Sequence, residues 1–150
     1  MRKILFGLAI AASLQGCVAM GNKYSGYQPI SSGNAVLYLY RQSKFDSKAY
    51  CPDIVVDGKT KFCLKDGGFA MFELPAGRHL VLLKKSIMDS SEDVSFGIDM
   101  VEGKRYFMEY VPQTSTSSFG SSTSYSYSDY IHSRDEEYSK DILRDLRNSL

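Results

Sequence analysis

Apolar and polar positions alternate in short runs through the middle of the chain. Residues 35–41 (AVLYLYR) are apolar and aromatic almost throughout, the pattern of a strand covered on both faces. Shorter strand-like runs follow at 54–56, 59–64, 69–74, 78–85, 94–100 and 104–111, separated by turn residues. Seven short strands at this spacing predict a mainly β domain over 35–111, a seven-stranded β-sandwich. The period then changes. Tyr138, Ile142, Leu143 and Leu146 fall on one helical stripe, and Ser133 with Glu136 has the spacing of a capping box. Asp135, Glu136 and Glu137 lead and Arg144 and Arg147 trail, which suits the helix dipole. One C-terminal amphipathic α-helix is predicted over 134–150, docked on the domain.

The amino terminus has a different pattern. Arg2 and Lys3 precede an apolar run at 4–14, too short for a transmembrane helix, which needs about 20 residues. It has the shape of a secretory signal peptide covering 1–16. The run ends Leu14-Gln15-Gly16-Cys17, which resembles the lipobox of bacterial lipoproteins. That resemblance implies cleavage before Cys17, acylation of its thiol and amine, and a stable membrane anchor, since two or more acyl chains hold where one is marginal. In such lipoproteins an Asp after the Cys signals inner-membrane retention. Val18 stands here, so the expected location is the outer membrane, with the domain facing the periplasm. Residues 17–34 are rich in Gly, Ser and Asn and read as a lipidated tether.

Three turns end in glycine: Val56-Asp57-Gly58, Pro75-Ala76-Gly77 and Val101-Glu102-Gly103. Read as three-residue hairpin loops with a left-handed third residue, they pair Phe72 with Leu80, Ala70 with Leu82, Phe96 with Met108 and Ile98 with Tyr106. Apolar then faces apolar. The first loop sets Cys51 directly opposite Cys63, away from Ile54, Phe62 and Leu64. An exported protein meets an oxidising compartment, and with Cys17 lipidated the remaining two Cys form an even set. A Cys51–Cys63 disulfide is expected; the alternative is two independent thiols. Beyond the strands, twelve of the eighteen residues in 113–130 are Ser, Thr or Gly. A flexible Ser/Thr/Tyr-rich segment is expected over 112–133, although its Tyr-x-Tyr alternation also suits a strand.

The spacing of AVLYLYR (35–41), IVVDG (54–58), FAMFELPAGRH (69–79) and EGKRYF (102–107) resembles a domain-of-unknown-function family common among small Gram-negative lipoproteins. The VDG and LPAGRH portions also resemble PEGA domains. Both imply a prealbumin-like or carboxypeptidase-regulatory-like sandwich, and neither carries a catalytic residue over.

Composition narrows the chemistry. The formal net charge is +1, and loss of Arg2 and Lys3 makes it −1, which argues against a nucleic-acid partner. There is no Trp, and there are only two His and three Cys. His79 is expected opposite Glu73, as an acid–base pair or as a cross-strand charge contact; His132 lies just before the helix. Cys51, Cys63 and His79 lack zinc-ligand spacing, and no G-x-S-x-G, G-x-G-x-x-G or P-loop occurs. No catalytic residue, metal or cofactor is therefore expected. Tyr38, Tyr40, Tyr106 and Tyr110 are candidates for an aromatic groove binding glycan or peptide, with packing as the alternative. Residues 41–85 carry +4 and 86–150 carry −6, either a basic patch or two halves that complement each other. The resulting expectation is a non-catalytic envelope lipoprotein with a protein partner; the alternative is a periplasmic small-ligand binder.

Overall fold

The computed structural model describes residues 17–44, 51–85 and 92–149; the expected signal at 1–16 lies outside them. The described residues are mainly β, with two sheets and one short helix. In order come β1 (Asn34–Arg41), β2 (Asp53–Val56), β3 (Lys59–Cys63), β4 (Gly68–Pro75), β5 (Gly77–Lys84) and β6 (Val94–Met100). Then follow β7 (Arg105–Phe119), β8 (Ser122–Arg134), helix α1 (Glu136–Leu143) and the short β9 (Arg147–Asn148). One sheet has the order β8-β7-β1-β4-β9, the other β3-β2-β5-β6. Between them Leu37 and Leu39 of β1 and Ala70 and Phe72 of β4 share one apolar core with Ile54, Val81, Leu83 and Ile98 of the second sheet.

As its unbroken apolar run predicts, β1 is buried on both faces. Its outer face carries Val36, Tyr38 and Tyr40, with Phe69 and Phe107 beside them. Two segments cover that face: Leu143 and Leu146 from one end of the chain, and Tyr24, Tyr27 and Ile30 from the other. The expected tether over 17–34 is thus packed on the domain. The Ala19 N–H donates to the Asp66 carbonyl at 3.0 Å, and the Gly21 N–H to the Asn148 carbonyl at 3.2 Å. Small polar residues dominate this segment, yet its two tyrosines anchor it: Tyr24 meets Tyr38 and Phe69 edge-on. Gly21 permits the close approach, since a Cβ there would collide with the Asn148 carbonyl.

The turn reading needs correction. Asp57 and Gly58 both have positive φ, 50° and 75°, so β2 and β3 are joined by a two-residue turn whose twist matches the strands. Val56 pairs with Lys59, and a shift between Val55 and Asp53 then pairs Asp53 with Cys63. The other two expected hairpins do not form. β4 pairs with β1 and β5 with β2 and β6, so the chain changes sheet at Pro75–Gly77. It changes sheet again at 101–103, where β7 joins β1 in parallel. Apolar matching misled here because it is satisfied equally by strands side by side and by strands stacked across a core.

The C-terminal region also differs. Residues 112–133, expected to be flexible, lie in one long β7–β8 hairpin, paired from Phe107–Arg134 out to Phe119–Ser122. Tyr and Thr favour strands, and Ser rows face each other, with Ser117 and Ser124 hydroxyls 2.7 Å apart. Ser133 is taken up by this ladder, so it does not cap the helix. Asp135 does, its carboxylate accepting from the Tyr138 N–H at 2.8 Å. The helix ends at Leu143, and β9 returns to pair with β4.

Cys51 and Cys63 form a disulfide with Cα atoms 5.4 Å apart. The bridge is as expected, but its partners are not ladder neighbours: Asp53 occupies the place opposite Cys63. Reduction should cost about 2–3 kcal/mol through loop-closure entropy. Urea unfolding with and without reductant measures this; an unmoved midpoint with both thiols titratable would contradict it.

Candidate functional site

The four candidate tyrosines do not line one groove. Tyr38 and Tyr40 occupy the outer face of β1, whereas Tyr110 belongs to the core between the sheets. Tyr106 also packs against that inner core, and its hydroxyl accepts from the Val101 N–H at 2.9 Å. Tyr38 stacks on Phe107 with centroids 5.3 Å apart. The Tyr40 hydroxyl lies 3.1 Å from that of buried Ser139 on α1, and burial pushes its pKa up to about 12. Tyr38 borders a recess of about 220 Å³, with Tyr24, Phe69, Asn22, Gln28 and Asn148 among its walls.

His79 faces Asp57, not Glu73, because β4 and β5 lie in different sheets. Its Nδ1 is 2.7 Å from Asp57 Oδ2 and its Nε2 is 2.8 Å from the Pro75 carbonyl. Both neighbours are acceptors, so the arrangement favours the doubly protonated ring. The Asp57 contact, then the Pro75 carbonyl, hold the His79 pKa above its ordinary value, and the His79 contact holds that of Asp57 below its own. Glu73 instead accepts from the Ser31 N–H at 2.9 Å and the Asn34 amide at 3.0 Å. His132 sits on β8 with its ring stacked on Tyr130.

The most polar interior was not anticipated from the sequence. Arg41, Asp66 and Glu109 are buried to within a few per cent, as are the side chains of Lys85 and Asp129. Lys85 is ion-paired with Asp129, which also accepts from the Tyr110 hydroxyl at 3.0 Å. Arg41 and Lys85 both approach the Tyr110 ring, at 5.8 and 5.5 Å from its centroid. Arg41 lies 3.7 Å from Asp66, whose carboxylate also accepts from Ser43 Oγ at 2.6 Å. Glu109, on the other face of β7, accepts from Gln42 at 2.5 Å and from Arg134 at 2.7 Å. A signal was present: Arg41 continues the inward positions 35, 37 and 39 of a buried strand. The Lys85–Asp129 pair joins the basic stretch to the acidic one, in keeping with two complementary halves.

Cys17 stands at the edge of this arrangement. It is half-buried, and its carbonyl accepts from the Asp66 N–H at 2.9 Å. Among the described residues no three His, Cys, Asp or Glu side chains are grouped to hold a metal ion, and no helix is long and apolar enough to cross a membrane.

A family model described as a protein of unknown function, DUF2846, matches residues 31–122 of the 150-residue chain. The chain belongs to the DUF2846 family. Neither a curated protein nor a solved structure matches it. The DUF2846 match runs from just before β1 to the first residue of β8. Arg41, Asp66, Lys85 and Tyr110 therefore fall inside the DUF2846 region, whereas Asp129, α1 and β9 lie beyond it.

Two expectations follow. Asp129→Ala should destabilise the fold by about 3–5 kcal/mol by stranding a buried cation, and Lys85→Met with Asp129→Leu should recover most of that. Equilibrium unfolding of the single and double variants decides it; a double variant no better than the single would contradict the pairing. The His79–Asp57 contribution should be complete between pH 3.8 and 6.5, the ordinary values of the two groups. It is lost as pH rises through the raised His79 pKa, and as pH falls through the lowered Asp57 pKa. Tm of wild type and His79→Gln should thus differ most in that window and converge at higher pH.

Proposed function

We propose that this DUF2846 protein is an outer-membrane lipoprotein, anchored through Cys17 and facing the periplasm, that serves as a non-catalytic interaction or structural module of the envelope. The observation that carries the reading is the Leu14-Gln15-Gly16-Cys17 sequence at the end of an apolar run, with Cys17 at the surface of a folded domain. The packing of 17–34 gives the anchor a further property. No free spacer separates Cys17 from the domain, so a lipid on Cys17 would hold the domain close against the bilayer.

An interaction role is supported by what the surface offers. A long strand edge is exposed on β8, while the surface also carries a recess of about 220 Å³ beside Tyr38 and a wider one of about 430 Å³ lined by Gln42, Ser43, Asp141 and Asp145. The recess beside Tyr38 does favour a second reading, a small glycan or peptide ligand stacked near Tyr24 and Tyr38. We also read the two sheets as a sandwich of the prealbumin-like or PEGA-like kind, elaborated by β8 and β9.

Cys17→Ala should abolish labelling by radioactive palmitate in growing cells and move the protein out of the outer-membrane fraction. If the variant still partitions into detergent like wild type, the anchor lies elsewhere.

A further inference from the structure

The β7–β8 hairpin extends past the sheet that bears it. β1 pairs with β7 only as far as Tyr40 and Glu109, whereas β7 and β8 remain paired to Phe119 and Ser122. Every described side chain from 113 to 126 is exposed, with Phe119 at 92% and Tyr125 at 63%. Among the described residues β8 is the outermost strand on its side of the sheet, so one row of its N–H and C=O groups faces outward.

Edge strands normally carry a lysine, a proline or a bulge that prevents pairing with another chain. From Ser122 to Ser128 there is no charge and no proline, and the ladder to β7 runs without a register shift. We propose that this edge pairs antiparallel with the same edge of a second copy of the chain, about a twofold axis, to form one continuous sheet from two hairpins.

The sequence of the strand fits a copy of itself. Ser122, Ser124, Ser126 and Ser128 lie on one face, and Thr123 and Tyr125 on the other. Antiparallel pairing about a residue-centred axis sets even positions against even and odd against odd. Serine hydroxyls then meet serine hydroxyls, as Ser117 and Ser124 already do within the hairpin, and aromatic positions fall on the same face as each other. No residue from 113 to 128 is charged, so two copies meet without repulsion over this stretch. The contact is isologous and closes at two.

Single cysteines placed in turn at each position from 122 to 128 of the full-length protein, in intact cells, test this under a mild oxidant. Lys61 on β3 and Ser95 on β6 provide control edges. A disulfide-linked homodimer should peak at one position of β8 and be absent at both controls. Adding Ser124→Lys should abolish the peak, while Ser124→Ala should leave it. Dimer yields no higher on β8 than at the controls, or crosslinks only to a protein of another mass, would overturn the proposal. Crosslinking does not require lipid on Cys17, and the palmitate label reports that anchor separately.

Discussion

The two-sided burial of β1 constrains everything around it. A strand with apolar side chains on both faces needs a layer on each, and β1 places Leu37 and Leu39 on one side and Tyr38 and Tyr40 on the other. The second sheet supplies the first layer. Among the described residues no third sheet covers the outer face, and both ends of the described chain fold back over it. This explains why a Gly- and Ser-rich segment is ordered against the domain and why the helix docks where it does. Tyr38 and Tyr40 form the packing surface between β1 and these covering segments.

Asp66 joins that packing to the polar interior. Its backbone holds Cys17 and Ala19, and its carboxylate faces Arg41 and Ser43. A carboxylate buried this deeply is costly unless paired, so the local chain is restricted to arrangements that bring Arg41 and the Ser43 hydroxyl to it. The segment bearing Cys17 is therefore tied to the core by groups that cannot easily let go. An anchor at Cys17 would be attached to a rigid part of the molecule, with the orientation of the domain restricted accordingly.

Much of the strand inventory was legible because alternation reports burial directly. All seven anticipated runs appear as strands, joined by β8 and β9 beyond the seven expected, and the unbroken apolar run of β1 matches its burial on both faces. Pairing was less legible. Phe72 and Leu80, or Phe96 and Met108, are matched apolar sets whether they are neighbours in a sheet or lie on separate sheets. The Cys51–Cys63 bridge was reached through a register that a two-residue Asp57-Gly58 turn and a shift in β2 replace. A short connection tolerates such an error because the bridge needs proximity, not ladder opposition. The partner of His79 was missed for the same topological reason. In the β7–β8 extension composition and alternation conflict: Ser and Thr content suggests a loop, whereas the alternation with Tyr matches the strand that forms.

The boundary of the DUF2846 match places the open edge in context. Strands β1–β7 lie within it, and on their own they would expose the outer face of β1 and the free side of β7. This chain covers the face with residues from both ends, but an edge is different. Adding a strand to an open sheet transfers the unpaired row of backbone groups to the newcomer without removing it. On the far side of the sheet the added strand is β9, two residues long and offering little to pair with. On the near side it is β8, thirteen residues long, with its first seven uncharged. Of the two edges of this sheet, β8 thus offers the longer row of backbone groups, and its outer part lies away from the core. Engaging that outer part of β8 leaves the packed layers on both faces of β1 in place.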